Sequence, residues 1–507
     1  MPFYWGDIHN HNEMGIARGS LERALDIARR HLDFWVIVPH GHQQGMHLMP
    51  SAWQSTVGWK ARRTSGNQRV RDRWPEVLRM VREADDPGRF VTLLGYEWHS
   101  RQWGDHVLYY PQAEGQPVNF DDIRELQAYA REKGCLLIPH HLGYPCPGAT
   151  GHDWSTHDPA VTPVAEIYSE HGACERDTGT YPMVSHSWPG RVGDNCAQAG
   201  LARGLRFGFV ASTDGHLGFP GAYPEGLVGV DAPELTREAV WDALRARRTI
   251  AVTGDRIQAR LHVNGAPMGS ELPWTGERRI EIDIVGWDEI DKVELLKNNE
   301  VLERFYPALS GDGAWPERVK VRMEAGWGRW AQSRDLAVTP WKVSVQVQEG
   351  CITDAMPCFR SRPFLEEDRP GIKALATNAC SWRAHTAQRY AVEGIQCFER
   401  ANTQGLVLEL SGGPDTRLSV ALSQPVERAF EVTLGDLARG AHIEPTGPLV
   451  GESVVLHRLL WQHQCMVSAE TTDPEPSQDC ADWYYLRVTQ ANGQMAWTSP
   501  VWVDAPQ

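Results

Sequence analysis

The stretch "GDIHNHNEMG", residues 6–15, follows the strand-like run Phe3-Tyr4-Trp5 and sets His9 and His11 one residue apart. Such a pair alone is a weak sign of a metal site. Its weight depends on whether the rest of the chain supplies the other ligands, and the histidines are unevenly spread. Fifteen of the twenty lie before residue 217. "VPHGH" puts His40 and His42 after a second apolar run, and "GYEWHS" puts Glu97 and His99 after a third. "GDHVLYY" carries Asp105 and His106, and "IPHHLG" carries His140 and His141. "IYSEHG" adds Glu170 and His171, and "STDGH" adds Asp214 and His216.

Between these motifs, short apolar runs alternate with amphipathic helical patterns. Ser20 reads as an N-cap before Leu21, Leu25, Ala28 and Leu32. Phe34 to Val38 reads as a strand buried on both faces. Helices are expected near 68–84, 120–133 and 236–248, with strands at Phe90–Tyr96, Val107–Tyr110, 135–138, 165–168 and 207–211. Repeated βα units imply a parallel sheet or barrel, and in a barrel the C-terminal strand ends converge on one face. Neutral imidazole and carboxylate in such a cluster suit Zn²⁺, Mn²⁺ or Fe²⁺. Two adjacent cations can share a hydroxide and clamp a substrate oxygen, which makes a nucleophile without Ser or Cys.

The ordered set "GDIHNH", "GYEWHSRQWGDH", "IPHH", "IYSEHG", "STDGHLGFPG" resembles the PHP (polymerase and histidinol phosphatase) family. Within it the chain is most similar to an uncharacterised branch, a domain of unknown function, related to hydrolases of aryl carbamates such as carbaryl. The C-terminal "YYLRVTQANGQMAWTSPVWV" shares that likeness. The resemblance implies a distorted (βα)7 barrel holding two or three divalent metals. Carried over, His9, His11, Glu97 and Asp214 hold the first metal, and Glu97 bridges to a second completed by His106 and His141. His40 and His216 contribute to a third. The pattern of "HH" does not itself separate His140 from His141. Two departures bear on the third site: the family's histidine six residues after the HxH begins is absent from Asn12–Ala17, and Pro39 replaces an acidic residue. Either Glu13 or His42 compensates, or His40 and His216 contact substrate instead.

The whole chain has 507 residues, enough for two to four domains. After about residue 255 the texture changes to period-two alternation, as in Arg279–Ile284 and Trp341–Val347. The expected architecture is α/β plus all-β: a PHP-type barrel over 1–255, then a β-sandwich region over 256–507. The latter is read as one immunoglobulin-like domain interrupted by an insertion near 350–470, or as two sandwiches. The stretch 365–390 reads as a connector. A net charge of −15 without a basic tract argues against nucleic acid or an anionic membrane as partner. Neither a signal peptide nor an apolar run of spanning length is visible, and the ten cysteines form no CxxC pair. A cytoplasmic protein acting on a small molecule is therefore expected, with the oligomeric state open.

The expected activity is metal-dependent hydrolysis by a metal-bridging hydroxide, with a phosphoester as substrate. A histidine, His216 or His171, protonates the leaving group. The tryptophans Trp5, Trp53, Trp59, Trp98 and Trp103 keep open a carboxyl ester, carbamate or amide on a small aromatic substrate. The reading of another class is an inactive metal-binding scaffold whose β domains bind carbohydrate or protein.

Overall fold

A computed structural model describes residues 1–44, 57–179, 191–308, 313–327, 338–387, 403–447 and 452–506, with the side chains of 42–44 and 57–66 outside the description. The N-terminal part runs β1 (Phe3–Asp7), α1 (Leu21–His31), β2 (Phe34–Ile37), β3 (His40–Gln44), α2 (Val57–Ala84), β4 (Val91–Ser100) and β5 (His106–Tyr110). It continues with α3 (Ile123–Lys133), β6 (Leu136–Pro139), β7 (Val164–Ser169), β8 (Gly172–Ala173), α4 (Ala197–Ala202), β9 (Gly208–Ala211), β10 (Leu227–Asp231), α5 (Arg237–Arg245) and β11 (Thr249–Val252).

Local chemistry explains these boundaries. Ser20 caps α1 by accepting from the Arg23 N–H, and Thr236 caps α5 through the Ala239 N–H. Each satisfies one of the free donors that open a helix. Gly134 ends α3 in the left-handed region at φ 67°, where a side chain would be strained. Phe34 through Val38 are fully buried, as their unbroken apolar run requires.

The sheet is mixed. Strands β1, β2, β3 and β4 are parallel, but β4–β5 and β5–β6 are antiparallel, as are β1–β10 and β10–β11. The turn between Ser100 and His106 is too short for the helix a parallel crossover needs, so β5 must return beside β4. Strands β7, β8 and β9 form a separate three-stranded sheet. Hydroxyls tie it to the larger one: Thr249 Oγ1 donates to Phe209 O (2.8 Å), and the Phe209 N–H donates to Ser499 Oγ (2.9 Å). The regular parallel alternation expected from the sequence is thus broken at β4–β6 and β10–β11.

The large sheet continues past residue 255. Met495–Thr498 pairs with β11, and Asp482–Gln490 joins it to Val501–Val503 and Ile290–Lys297. A four-stranded sheet with Gln258–Val263, Arg279–Val285 and Met466–Thr472 shares a core with these strands. The apolar residues meeting there include Ile280, Ile282, Val293, Leu295, Leu486 and Val488. The intervening chain, 318–461, builds a nine-stranded sheet around the long strands Val338–Cys358 and Thr403–Gln424. The stretch expected as a connector contains the antiparallel strands Gly371–Ala376 and Ala379–Ala387. Its buried side, Cys380, Trp382, Ala384 and Thr386, carries one large apolar residue among smaller ones, a weak period-two signal in the sequence. Among the described residues no helix is long and apolar enough to cross a membrane.

Candidate metal centre

The ends of β1, β4, β6 and β7, with the loop after β9, place a set of buried polar side chains against one another. His9, His11, Glu97, His140 and Asp214 are all at most 2% exposed. His9 Nε2 stands 3.1 Å from His11 Nε2, and His11 Nε2 lies 3.1 Å from Asp214 Oδ1 and 3.4 Å from Glu97 Oε2. His140 Nε2 is 3.0 Å from Glu97 Oε1, and His99 Nε2 is 3.0 Å from Glu97 Oε2. On the other carboxylate, Asp214 Oδ2 meets His141 Nε2 at 2.7 Å and His171 Nε2 at 3.0 Å. His40 Nε2 faces His216 Nε2 at 3.3 Å, and its ring stacks on that of His11.

Backbone geometry holds this arrangement. The Asp214 N–H donates to His9 O (2.7 Å), the His11 N–H to Gly215 O (2.9 Å) and the Gly218 N–H to His11 O (3.0 Å). The loop after β9 is thereby laced to the end of β1. Asp7 reinforces it, accepting from Thr213 Oγ1 (2.7 Å) and from the N–H groups of Thr213 and Gly221. Asp214 and His141 both adopt left-handed backbone, at φ 50° and 55°. Strain of that kind in non-glycine residues persists only where surrounding contacts enforce it.

The ring nitrogens facing away from the cluster are committed elsewhere. His9 Nδ1 pairs with Glu166 Oε2 (3.1 Å), and His11 Nδ1 with Val38 O (3.1 Å). His99 Nδ1 pairs with Asp105 Oδ2 (3.1 Å), and His171 Nδ1 with Tyr144 Oη (2.9 Å). With His11 donating from Nδ1 to a carbonyl, its Nε2 turns a lone pair into the cluster. This outer ring of partners is what orients histidines around a metal. The interior of the set is short of ordinary hydrogen bonds: His140 Nδ1 and His141 Nδ1 are buried without a hydrogen-bond partner. Buried donors and acceptors in that state are costly unless something else fills the space between them.

Electrostatics point the same way. Burial opposes charge on His9, yet Asp214, Glu166 and Glu97 raise it to about 10. His216 likewise rises to about 9 against burial, through Glu170 and Asp214. Burial pushes His11 down to about 4 and His140 to about 3. Glu97 and Asp214 stay well below the usual carboxylate range despite burial, held there by surrounding histidines. Two buried anions thus draw positive charge into the cluster, a demand a divalent cation meets.

Donor atoms lying within 4.8 Å of one another form several candidate sets: His9/His11/Glu97, His9/His140/Asp214, His40/Glu97/His99, Asp105/His140/His141 and His11/His40/His216. These sets share His9, His11, His40, Glu97 and His140, and their imidazole and carboxylate donors fit a divalent metal.

Of the ligands expected from sequence, His9, His11, His40, Glu97, His141, Asp214 and His216 converge. His106 does not join them. In the antiparallel register it sits opposite Trp98, while Val107 sits opposite Glu97. His106 therefore faces the layer on the far side of β4 from the cluster. There its Nδ1 lies 3.1 Å from Gly104 O, and its ring packs 5.2 Å from that of His152. His171, expected as a proton donor, reaches Asp214 instead of standing apart. Both members of "HH" reach the cluster, His140 approaching Glu97 and His141 approaching Asp214. His99 and Asp105 carried no assigned ligand role, although His99 is two residues from Glu97 on a strand and so shares its face.

At the departures from the family pattern, Gly15 stands six residues after His9, and a Cβ there would lie 2.4 Å from His40 Nδ1. The missing side chain leaves that space to the His40 ring. Glu13 pairs with Arg73 (2.8 Å) on the surface rather than with His40 or His216, and the His42 side chain lies outside the described residues. Trp5 and Trp98 are core residues, Trp103 packs against that core, and Trp53 and Trp59 lie outside the description.

A family of proteins of unknown function, DUF3604, matches residues 221–272. An uncharacterized protein of Chlamydia pneumoniae is 27% identical over 342 residues, covering 60% of this chain and 48% of its own length. An uncharacterized protein of Chlamydia muridarum is 26% identical over 336 residues, covering 60% of this chain and 49% of its own. The chain thus spans about half the length of the curated relatives it matches. Among solved structures, a two-domain protein from Bacteroides vulgatus, described as containing a predicted PHP-like metal-dependent phosphoesterase, aligns over 85% of this chain and 95% of its own. Its sequence identity is 10% and the TM-score 0.31.

Proposed function

We propose that this chain is a metal-dependent hydrolase acting on a phosphoester. The observation that carries the reading is the pair of buried carboxylates, Glu97 and Asp214, each contacted by several imidazoles, of which His9, His11, His99 and His171 have their outer nitrogens already engaged. A structural ion pair needs one partner per charge; this set has far more ligand atoms than mutual hydrogen bonds. When bound, divalent cations acidify water and polarise the oxygen of the scissile group. The chain's own residues then have separate tasks. Glu97 and Asp214 supply the negative charge that retains cations, and Glu166 and Asp105 orient His9 and His99. His216 is the most exposed histidine of the cluster, at 22%, and Glu170 lies 3.2 Å from its Nδ1. It delivers a proton to the leaving group if it is free of metal. If it is held with His11 and His40, that task passes to His171.

A phosphoester is preferred over an aromatic ester or carbamate because the tryptophans that suggested an aromatic pocket include Trp5 and Trp98, both core residues. Seven of the eight residues expected as ligands converge, whereas decay would scatter losses among them, and this favours a working centre over an inactive scaffold. The test is elemental analysis of purified protein followed by assay against phosphate monoesters, phosphate diesters, carboxyl esters and carbamates. Bound divalent metal with phosphoester turnover is expected. Turnover confined to carbamates or esters would replace the substrate class, and metal with no turnover across the panel would favour the scaffold.

A further inference from the structure

Arg23 on α1 is 1% exposed, and its guanidinium is shared between two parts of the molecule that are distant in sequence. Nη1 donates to Leu217 O (3.0 Å) and Gly218 O (2.8 Å), in the loop that carries Asp214 and His216. Nε donates to Leu365 O (3.3 Å) and Asp368 O (3.2 Å), in the segment of the nine-stranded region that leads into Gly371–Ala376. The guanidinium carbon sits 5.1 Å from the centre of the Phe364 ring and 5.9 Å from that of Phe219, one aromatic from each side.

Other contacts join the same two segments. The Ser20 N–H donates to Glu366 Oε1 (3.1 Å), the Tyr223 N–H to Phe359 O (2.9 Å), and Ser361 Oγ to Glu225 Oε1 (2.7 Å). Glu225 in turn reaches back to the metal loop, for a Cβ on Gly215 would lie 2.9 Å from its Oε2. The loop beyond His216 is packed without slack: Cβ atoms at Gly19 and Gly218 would meet Leu217 O at 2.9 Å and Arg18 O at 3.0 Å.

We infer that Arg23 is a positioning residue for the Asp214–His216 loop, and that through it the 318–461 region sets the geometry of the His11/His40/His216 group. The inference rests on the metal-centre reading above. The direct hydrogen-bond partners of this buried guanidinium are four carbonyls, a pattern that uses its planar fork and that a point charge does not reproduce. Lysine, a point charge with three donors, cannot hold both carbonyl pairs in one plane. Glutamine leaves most of the carbonyls unpaired.

The test uses the full chain and Co²⁺ alone as probe, titrated into demetallated protein and followed by visible absorption, with thermal unfolding recorded alongside. Wild type is expected to take up Co²⁺ in more than one step. Arg23→Lys, still folded, is expected to bind one equivalent about tenfold or more weakly with an altered absorption band, the remaining equivalents being unchanged. Phe364→Ala, which touches the guanidinium only from the far side, should shift the same step in the same direction by less. Should Arg23→Lys fail to fold, Phe364→Ala decides. Variants that only melt earlier, with wild-type Co²⁺ stoichiometry, affinity and spectrum, overturn the inference. Wild type that takes up no Co²⁺ overturns the metal-centre reading and this inference with it.

Discussion

The strand ends of the N-terminal part and the nine-stranded sheet of 318–461 bury side chains for opposite reasons. In the sheet, inward positions are apolar and outward ones polar: Val343, Val345 and Val347 alternate with half-buried or exposed neighbours, and Leu406, Leu408 and Leu410 line the facing strand. Charged residues there form ion pairs of opposite sign, as Lys320 and Arg318 do with Glu409 at 3.2 and 3.1 Å. At the strand ends the buried residues are imidazoles and carboxylates packed against each other, with several polar atoms lacking hydrogen bonds. One region stores folding free energy; the other is tolerated because of what it can bind. Replacing Glu97 or Asp214 by alanine tests this most severely. Each should lose bound metal and lower phosphoester turnover by about 10³-fold or more, some 4 kcal/mol of barrier. Because the surrounding histidines hold each carboxylate well below the usual range even without a cation, each removal also strands positive charge on His9, and the metal-free variant is expected to unfold earlier than metal-free wild type. Retained metal and turnover in both variants would end the claim that the two regions differ in kind.

The converse test belongs in the sheet. Leu418 is fully buried, paired across the ladder with Val347 and Val432, far along the strands from the contacts with α1. Leu418→Ala should cost about 2–5 kcal/mol of stability through lost burial and a cavity. Denaturant melts should show that loss, while metal content and turnover per folded molecule stay at wild-type levels. A fall in metal content would mean that the sheet's core, and not only its margin at 359–368, is coupled to the centre.

Between these extremes stands Glu166. It touches both His9 Nδ1 and the Ser212 hydroxyl, so it holds a ligand without being one of the atoms that face the interior. Glu166→Gln keeps the shape and removes the charge. Metal affinity or turnover should fall about 10–100-fold, the range found for partners of ligating histidines. A chelator competition measured beside wild type reads the affinity directly. Equal affinities would return Glu166 to the class of ordinary buried hydrogen bonds.

Much of this contrast is legible in the amino-acid sequence itself. Ser20 and Thr236 announce their helices because capping is local, and Phe34 to Val38 announce a doubly covered strand because burial on both faces needs an unbroken apolar run. The cluster is legible because His9, His11, Glu97 and Asp214 all follow strand-like runs. What escapes depends on pairing, which sequence does not encode locally. The antiparallel return of β5 beside β4 is set by a short turn and tertiary packing, and it decides which face His106 occupies. The hairpin at 371–387 escapes because Ala384 and Thr386 are buried without being strongly apolar. Gly15 is visible as an absence, but only the position of the His40 ring explains it.

His106 is where the sequence resemblance and the geometry part, and the smallest expected effect is the sharpest discriminator. With β4 and β5 in this register, His106 belongs to the layer of Trp98 and His152, whose rings lie 6.0 Å and 5.2 Å away, and burial lowers it to about 4. It is a neutral, buried ring held by Gly104 O. His106→Gln should leave metal stoichiometry unchanged and turnover within about threefold of wild type, since no cluster carboxylate loses a contact. Its cost should be confined to folding, about 1–2 kcal/mol for a disturbed buried polar group. His140→Gln made in parallel should instead remove metal, because His140 approaches Glu97 directly. The reverse pattern, metal lost from His106→Gln and kept by His140→Gln, would place His106 in the centre and require β5 to shift by one residue, since a one-residue slip is what moves a side chain from one face of a sheet to the other.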